Sequence, residues 1–245
     1  MLSAEVRQLT RLRIGKGRSV AAIASSQGTG RRRQGVKAGL DLTRILEVAS
    51  SIAPDDLTMQ AVADRLGVDR KAINHHVSDR ESLLRLVAIE GFARSVAKVR
   101  IPADCDWREA SRIFGQAVAS GVTALGALAP HLQVGTSADE VLLAATEALL
   151  AKYVEAGLDL ETAVRAVSML GDICEAHGQG VARMAIYGGA GIRDEWLREA
   201  LRERSGEQPR YLGQVAQSPI DTYDERQLDL SIEIFIAGLE RLISA

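Results

Sequence analysis

The chain has 245 residues, 47% hydrophobic and 25% charged. This is enough for a packed core in one large or two modest domains, and it excludes global disorder. The formal net charge of −2 hides an uneven distribution. Residues 1–37 hold nine Lys/Arg and one Glu, residues 38–100 hold nine of each sign, and residues 101–245 hold 12 basic and 22 acidic groups. A cationic end on an acidic body points to a polyanionic partner at that end. No stretch of 18 uncharged apolar residues is present, so no membrane helix is expected. Arg7, Arg11 and Arg13 interrupt the start of the chain, which does not read as a secretory signal. Cys105 and Cys174 form no CxxC pair, which points to a reducing, cytoplasmic setting without a zinc site.

In chain order, residues 1–37 lack an apolar period and contain Arg31-Arg32-Arg33, so they read as a flexible basic arm. From Leu40 the pattern turns helical. Leu42, Ile45, Leu46, Ala49 and Ile52 mark one buried face, ended by Pro54-Asp55-Asp56. A second helix spans Met59 to Leu66 with Thr58 as its N-cap, and Gly67 breaks it. A short third helix runs from Val68-Asp69 to about His76, and a fourth from Arg80 towards Val99. Further helices are expected over Trp107–Ala129, Ala138–Glu155, Leu160–Tyr187, Asp194–Arg204 and Asp224–Ser244, with a loop over Ser205–Pro219. Strand periodicity is missing, and the fold class is all-α.

Residues 58–77, TMQAVADRLGVDRKAINHHV, have the spacing of a helix-turn-helix. Ala63 is small enough for a second helix to pack close, Gly67 suits a left-handed turn, and Val68, Ile73 and Val77 are apolar anchors. The opposite face then projects Arg70, Lys71, Asn74 and His75, which can hydrogen-bond base edges or phosphates. A plain helical hairpin would use the same Ala and Gly for the same packing reasons.

Residues 40–88 resemble the DNA-binding domain of the TetR family of bacterial repressors. Leu57-Thr58, Leu66-Gly67-Val68, His76-Val77, Arg80 and Leu83-Leu84 match the family pattern in order and spacing. The resemblance implies an N-terminal three-helix helix-turn-helix domain over 38–100, and a C-terminal helical ligand-binding and dimerisation domain over 101–245. It implies that Thr58 caps the second helix and touches a phosphate, and that Arg70, Lys71 and His75 face the groove. His76 would meet the DNA backbone, and Arg80 would hold a phosphate at a helix N-terminus. The family usually carries Tyr where Asn74 stands; Asn can donate to a phosphate or read adenine but lacks the apolar reach. Arg33 and Lys37, just before the first helix, are placed to enter an adjacent minor groove.

In the last helix, Leu228, Ile232, Phe235, Leu239 and Leu242 recur at steps of 4, 3, 4 and 3, the period of a packed seam. Burial within one subunit and pairing between two copies both explain that spacing, and the resemblance favours the homodimer. Glycines inside Leu160–Tyr187 imply close packing, a kink or a cavity. The resemblance implies a pocket in the helical body, with Phe114, His131, Met169, Ile173, His177 and Met184 as candidate walls; ordinary core packing accounts for each of them equally well. Cys174 and His177 lie at i, i+3 without a third ligand nearby, so neither a metal nor another cofactor is expected. No P-loop, GxSxG or HExxH occurs, and Gly28-Thr29-Gly30 follows no strand, so the chain does not read as an enzyme.

The resulting expectation is a cytoplasmic, dimeric, ligand-responsive repressor that binds a palindromic double-stranded operator and releases it on binding a small molecule. A helical enzyme, or a protein that binds DNA without sequence choice, is the alternative.

Overall fold

The computed structural model describes residues 40–132, 140–188, 191–204, 206, 209–218 and 220–244. Residues 41–245 form one compact unit, and residues 1–40 a second unit described only at Leu40. Arg33 and Lys37 therefore lie outside the described residues. Ten α-helices and one 3-10 turn make up the described structure, which contains no strand. The expected division near residue 100 falls within the larger unit. Its first part, called the head below, holds α1 (Leu42–Ala49), α2 (Met59–Leu66), α3 (Arg70–Asn74) and α4 (Arg80–Val96). The body holds α5 (Trp107–Thr123), the 3-10 turn (Gly126–His131), α6 (Glu140–Glu155), α7 (Leu160–Ile186), α8 (Gly191–Glu203), α9 (Arg210–Gln217) and α10 (Glu225–Ile243).

Helix starts follow the side chains that precede them. Asp41, Asp69, Asp79, Asp106, Asp159 and Asp224 each accept a backbone N–H in the first turn of α1, α3, α4, α5, α7 and α10. A carboxylate there satisfies an orphan donor and meets the positive end of the helix. Two departures from the sequence reading have local causes. The helix expected to reach Ala129 stops at Thr123, because Gly126 adopts φ +52° and the chain tightens into the 3-10 turn around Pro130. Arg210–Gln217, expected as loop, is helical. Its signal, Leu212, Val215 and Ala216 at i, i+3 and i+4, is only one turn long, and none of its residues is buried.

The body core is built on α5 and α7. Phe114, Val118 and Val122 from α5 join Ala163, Val167, Leu170, Cys174 and Ala182 from α7. Close approach explains two of the α7 glycines: a Cβ on Gly178 would stand 2.7 Å from the Ala119 carbonyl oxygen, and one on Gly180 would strike the Tyr223 ring. Gly171 faces open space. One buried polar pair crosses this core. The Ser111 hydroxyl lies 2.8 Å from the Tyr153 hydroxyl and 2.7 Å from the Trp107 carbonyl, so both hydroxyls of the pair are satisfied.

Helix α10 corrects the expected dimer seam. Leu228, Ile232, Phe235 and Leu239 are buried in their own subunit, with Ile232 only 1% exposed. They pack with α5 and α7; Ile232 sits against Gly115, where an added Cβ would come within 3.0 Å of it. Of the five expected seam residues only Leu242 is exposed. A 3.5-residue period states that a helix is packed but not against which chain. The exposed large apolar residues of α10 are Leu230, Ile234 and Leu242. Arg112 of α5 donates to both Glu233 carboxylate oxygens at 2.6 and 3.1 Å, and Arg108 pairs with Glu240, further fixing α10 to α5.

Glycine at position 178 is expected to be a packing requirement. Gly178→Ala should cost about 1–3 kcal/mol through the clash with α5. Gly171→Ala, with room for its methyl, should gain up to about 1 kcal/mol in helix propensity. Urea midpoints of the two variants against the parent chain check the contrast, and equal midpoints would refute it.

Candidate nucleic-acid interface

The turn between α2 and α3 fixes what α3 can present. Thr58 caps α2 by accepting the Ala61 N–H at 3.0 Å. Gly67 ends α2 at φ +65°, ψ +35°, a conformation open to glycine at little steric cost, and the Val68 N–H returns to the Ala63 carbonyl at 3.0 Å. The chain then enters α3 through Asp69, whose carboxylate accepts the Lys71 N–H at 2.7 Å. Ala63 and Ile73 are fully buried and Val77 is 2% exposed, so one face of α3 is clamped onto the head.

The clamped face leaves the other free. Arg70, Lys71, Asn74, His75 and His76 are all exposed, at the end of the head formed by α2 and α3. This matches the placement read from the sequence. Neither Arg70 nor Lys71 is held in an ion pair among the described residues, so both cations are available to an incoming anion. Asn74 is the last residue of α3 and His75 its C-cap.

Arg80 has a different position from that of a free phosphate clamp. Its Nε donates to the Leu57 carbonyl at 2.7 Å, and a terminal nitrogen donates to the Pro54 carbonyl at 3.0 Å. The guanidinium braces the α1–α2 loop against the start of α4, a function that sequence spacing does not reveal. Asp79 beside it accepts the Ser82 N–H at 2.7 Å and the Ser78 hydroxyl at 2.9 Å. These bonds, the Ser82 backbone first, hold its carboxyl below the usual range. A lowered folded-state pKa means the cap stabilises α4 above the ordinary carboxylate range, and the contribution is lost as pH falls through the lowered value.

Head and body are joined by packing and, among the described residues, by a polar contact. A Cβ at Gly121 of α5 would sit 3.1 Å from the Phe92 ring of α4, and one at Gly91 of α4 would sit 2.9 Å from the Leu125 side chain. His131, at the end of the 3-10 turn, lies with Nδ1 2.9 Å from the Glu81 carboxylate in the first turn of α4.

The residues expected to wall a body pocket differ in burial, with Phe114 in the body core and Ile173 packed against it. Phe114 is a core residue, 5% exposed, and His131 faces Glu81 of the head. Met169 is 57% exposed on the outer surface of α7, so it lines no interior space of this subunit. Ile173, His177 and Met184 remain half-buried along α7. Burial lowers the His177 pKa, offset by the nearby Asp224 and Asp221 carboxylates. Burial also pushes the Cys174 thiol up to about 12 and the Tyr153 hydroxyl to about 12, so neither ionises near neutral pH. Among the described residues, no group of three His, Cys, Asp or Glu is placed to hold a metal, and no helix is long and apolar enough to cross a membrane.

Solved structures share this helix-turn-helix head on a helical body. Apo ActR from Streptomyces coelicolor superposes with a TM-score of 0.66 at 22% identity, over 85% of this chain and 99% of that one. The TetR family protein ActR in complex with actinorhodin gives 0.63 at 23%, over 82% and 96%. A TetR variant from Acinetobacter baumannii AYE in complex with minocycline gives 0.57 at 18%, over 84% and 99%. No family model matches the chain, and no curated protein does. The chain therefore has the fold of TetR-family regulators.

The Arg80 brace is expected to matter for stability before it matters for binding. Arg80→Gln should lower the unfolding free energy by about 1 kcal/mol, the ordinary net value of a hydrogen bond. Chemical denaturation without DNA measures it, and an unchanged midpoint would show that the two carbonyl contacts contribute nothing.

Proposed function

We propose that this chain is a one-component transcriptional regulator that binds an operator through α3 and responds to a small molecule taken up by its body. The observation that carries the reading is the exposed row of Arg70, Lys71, Asn74, His75 and His76 on a short helix. Gly67, Ile73 and Val77 hold that helix rigidly. Such side chains supply phosphate contacts and base-edge hydrogen bonds once a helix lies in a major groove. Thr58 and the basic arm with Arg33 and Lys37 would add backbone and minor-groove contacts.

Self-association is part of the proposal, with a revised surface. Leu230, Ile234 and Leu242 on α10, with Leu160 and Val164 on α7, are apolar and exposed. A second copy of the chain covering them would make a two-fold dimer. Its paired α3 helices would meet successive major grooves about 34–36 Å apart and read an inverted repeat. ActR and the TetR variant were solved with actinorhodin and minocycline, respectively, which supports a small organic effector here. Ile173, His177 and Met184 are the remaining candidate contacts. An effector that prefers one head–body arrangement would change operator affinity by its differential affinity for the two states, whether it releases DNA or recruits it. Release, and hence repression, is the proposed direction.

Selection of bound fragments from random DNA tests the reading. An enriched inverted repeat is expected, and binding without enrichment would favour a protein that binds DNA without sequence choice. On the selected site, Arg70→Ala and Lys71→Ala should each cost about 1–3 kcal/mol if they contact bases, without changing the melting temperature. Undiminished binding by both variants would remove α3 from the groove. For the dimer, Ile234→Glu should give a folded monomer in light scattering, whereas Phe235→Glu should fail to fold because it buries an unpaired carboxylate. A folded Phe235→Glu monomer, with Ile234→Glu still dimeric, would restore the seam first read from the sequence.

A further inference from the structure

An open cleft of about 390 Å³ lies where the head meets the body, formed by the end of α1, the C-terminal part of α4, the end of α5 and the 3-10 turn. Val87, Gly91, Ala124, Leu125 and Leu128 supply its apolar lining, and Ser50, Ser95, Arg94 and Lys98 its polar one. The α4 contributors Val87, Gly91, Arg94 and Ser95 fall at steps of four, three and one residues, a single stripe along that helix, and Lys98 follows in the turn just after it.

The cleft's charge is one-sided. Two cations line it and no carboxylate does. Arg94 donates to the Ser50 hydroxyl at 3.0 Å, and its Nε stands 3.8 Å from Glu90, just outside the lining. That ion pair is long and exposed on both sides, the kind worth little in water. Lys98 has no ion-pair partner among the described residues. Lys98 is therefore open to a ligand, and Arg94 can exchange its exposed contacts with Ser50 and Glu90 for one. The C-terminal ends of α1, α4 and α5 together point about one and a half negative charges at this place, which two full positive charges still outweigh. Simple phosphate would satisfy the cations but leave the Leu125 and Leu128 surface wet. A neutral apolar molecule would cover the leucines and leave the cations unused.

We propose that this head–body cleft binds a small amphipathic organic anion, with its carboxylate between Arg94 and Lys98 and its apolar portion on Leu125 and Leu128. The site is separate from the interior of the body, and its binding chemistry does not depend on the regulator reading. Failure here would leave that reading untouched, since the test contains no DNA.

Titration calorimetry on the full chain with octanoate, octanamide and inorganic phosphate is the test. Octanoate should bind saturably at one site per chain, with octanamide and phosphate each at least tenfold weaker. The Arg94→Gln/Lys98→Gln double variant, both positions being exposed, should melt like the parent chain and weaken octanoate at least tenfold. A Leu128→Asn variant should weaken octanoate and leave the weak phosphate response unchanged. Absence of saturable octanoate binding overturns the proposal. So does octanoate binding that the double variant retains, which would locate the anion elsewhere, and so does phosphate binding as tight as octanoate, which would reduce the site to its two cations.

Discussion

The arrangement depends on how closely α5 and α7 approach. With glycine at 178, the α7 backbone can lie against the Ala119 carbonyl and the Val122 side chain, closer than any residue with a Cβ allows. That contact places the C-terminal half of α5 against α7. The end of α5 sets Leu125 and the 3-10 turn, and these meet α4 at Gly91 and Glu81. Gly121 repeats the device one element earlier, leaving room for the Phe92 ring of α4. The position of the head relative to the body is thus inherited through a run of close contacts with little slack. Tightly packed contacts of this kind shift between discrete arrangements more readily than they deform gradually.

Much of the head was legible because its constraints are local. An N-cap threonine, a left-handed glycine and two apolar anchors act within twenty residues, so Thr58, Gly67, Ile73 and Val77 stand where their spacing says. Arg80 shows the limit of that logic. Its partners, the carbonyls of Leu57 and Pro54, lie 23 and 26 residues back, and backbone acceptors carry no sequence signature.

Apart from Arg210–Gln217 and the 3-10 turn, the body was legible as helix but not as surface and core. Its helices carry apolar residues on more than one face, so periodicity alone could not choose which face of α10 turns inward. Met169 illustrates the same ambiguity on α7: a methionine within an apolar run reads as interior, yet it is more than half exposed. What distinguishes the faces is which helix lies opposite, and that is set by the Gly115 and Gly178 approaches rather than by the hydrophobicity of α7 or α10.

Cys174 gives the molecule an internal clock. Its thiol is fully enclosed beside Gly115 and holds its proton far above neutral pH, whereas Cys105 sits half-covered near the surface. Alkylation of Cys174 under native conditions therefore has to wait until α5 and α7 part. Its rate, read against the faster reaction at Cys105, measures how often the body opens, and any effector lodged between those helices would be timed by the silence of one sulfur.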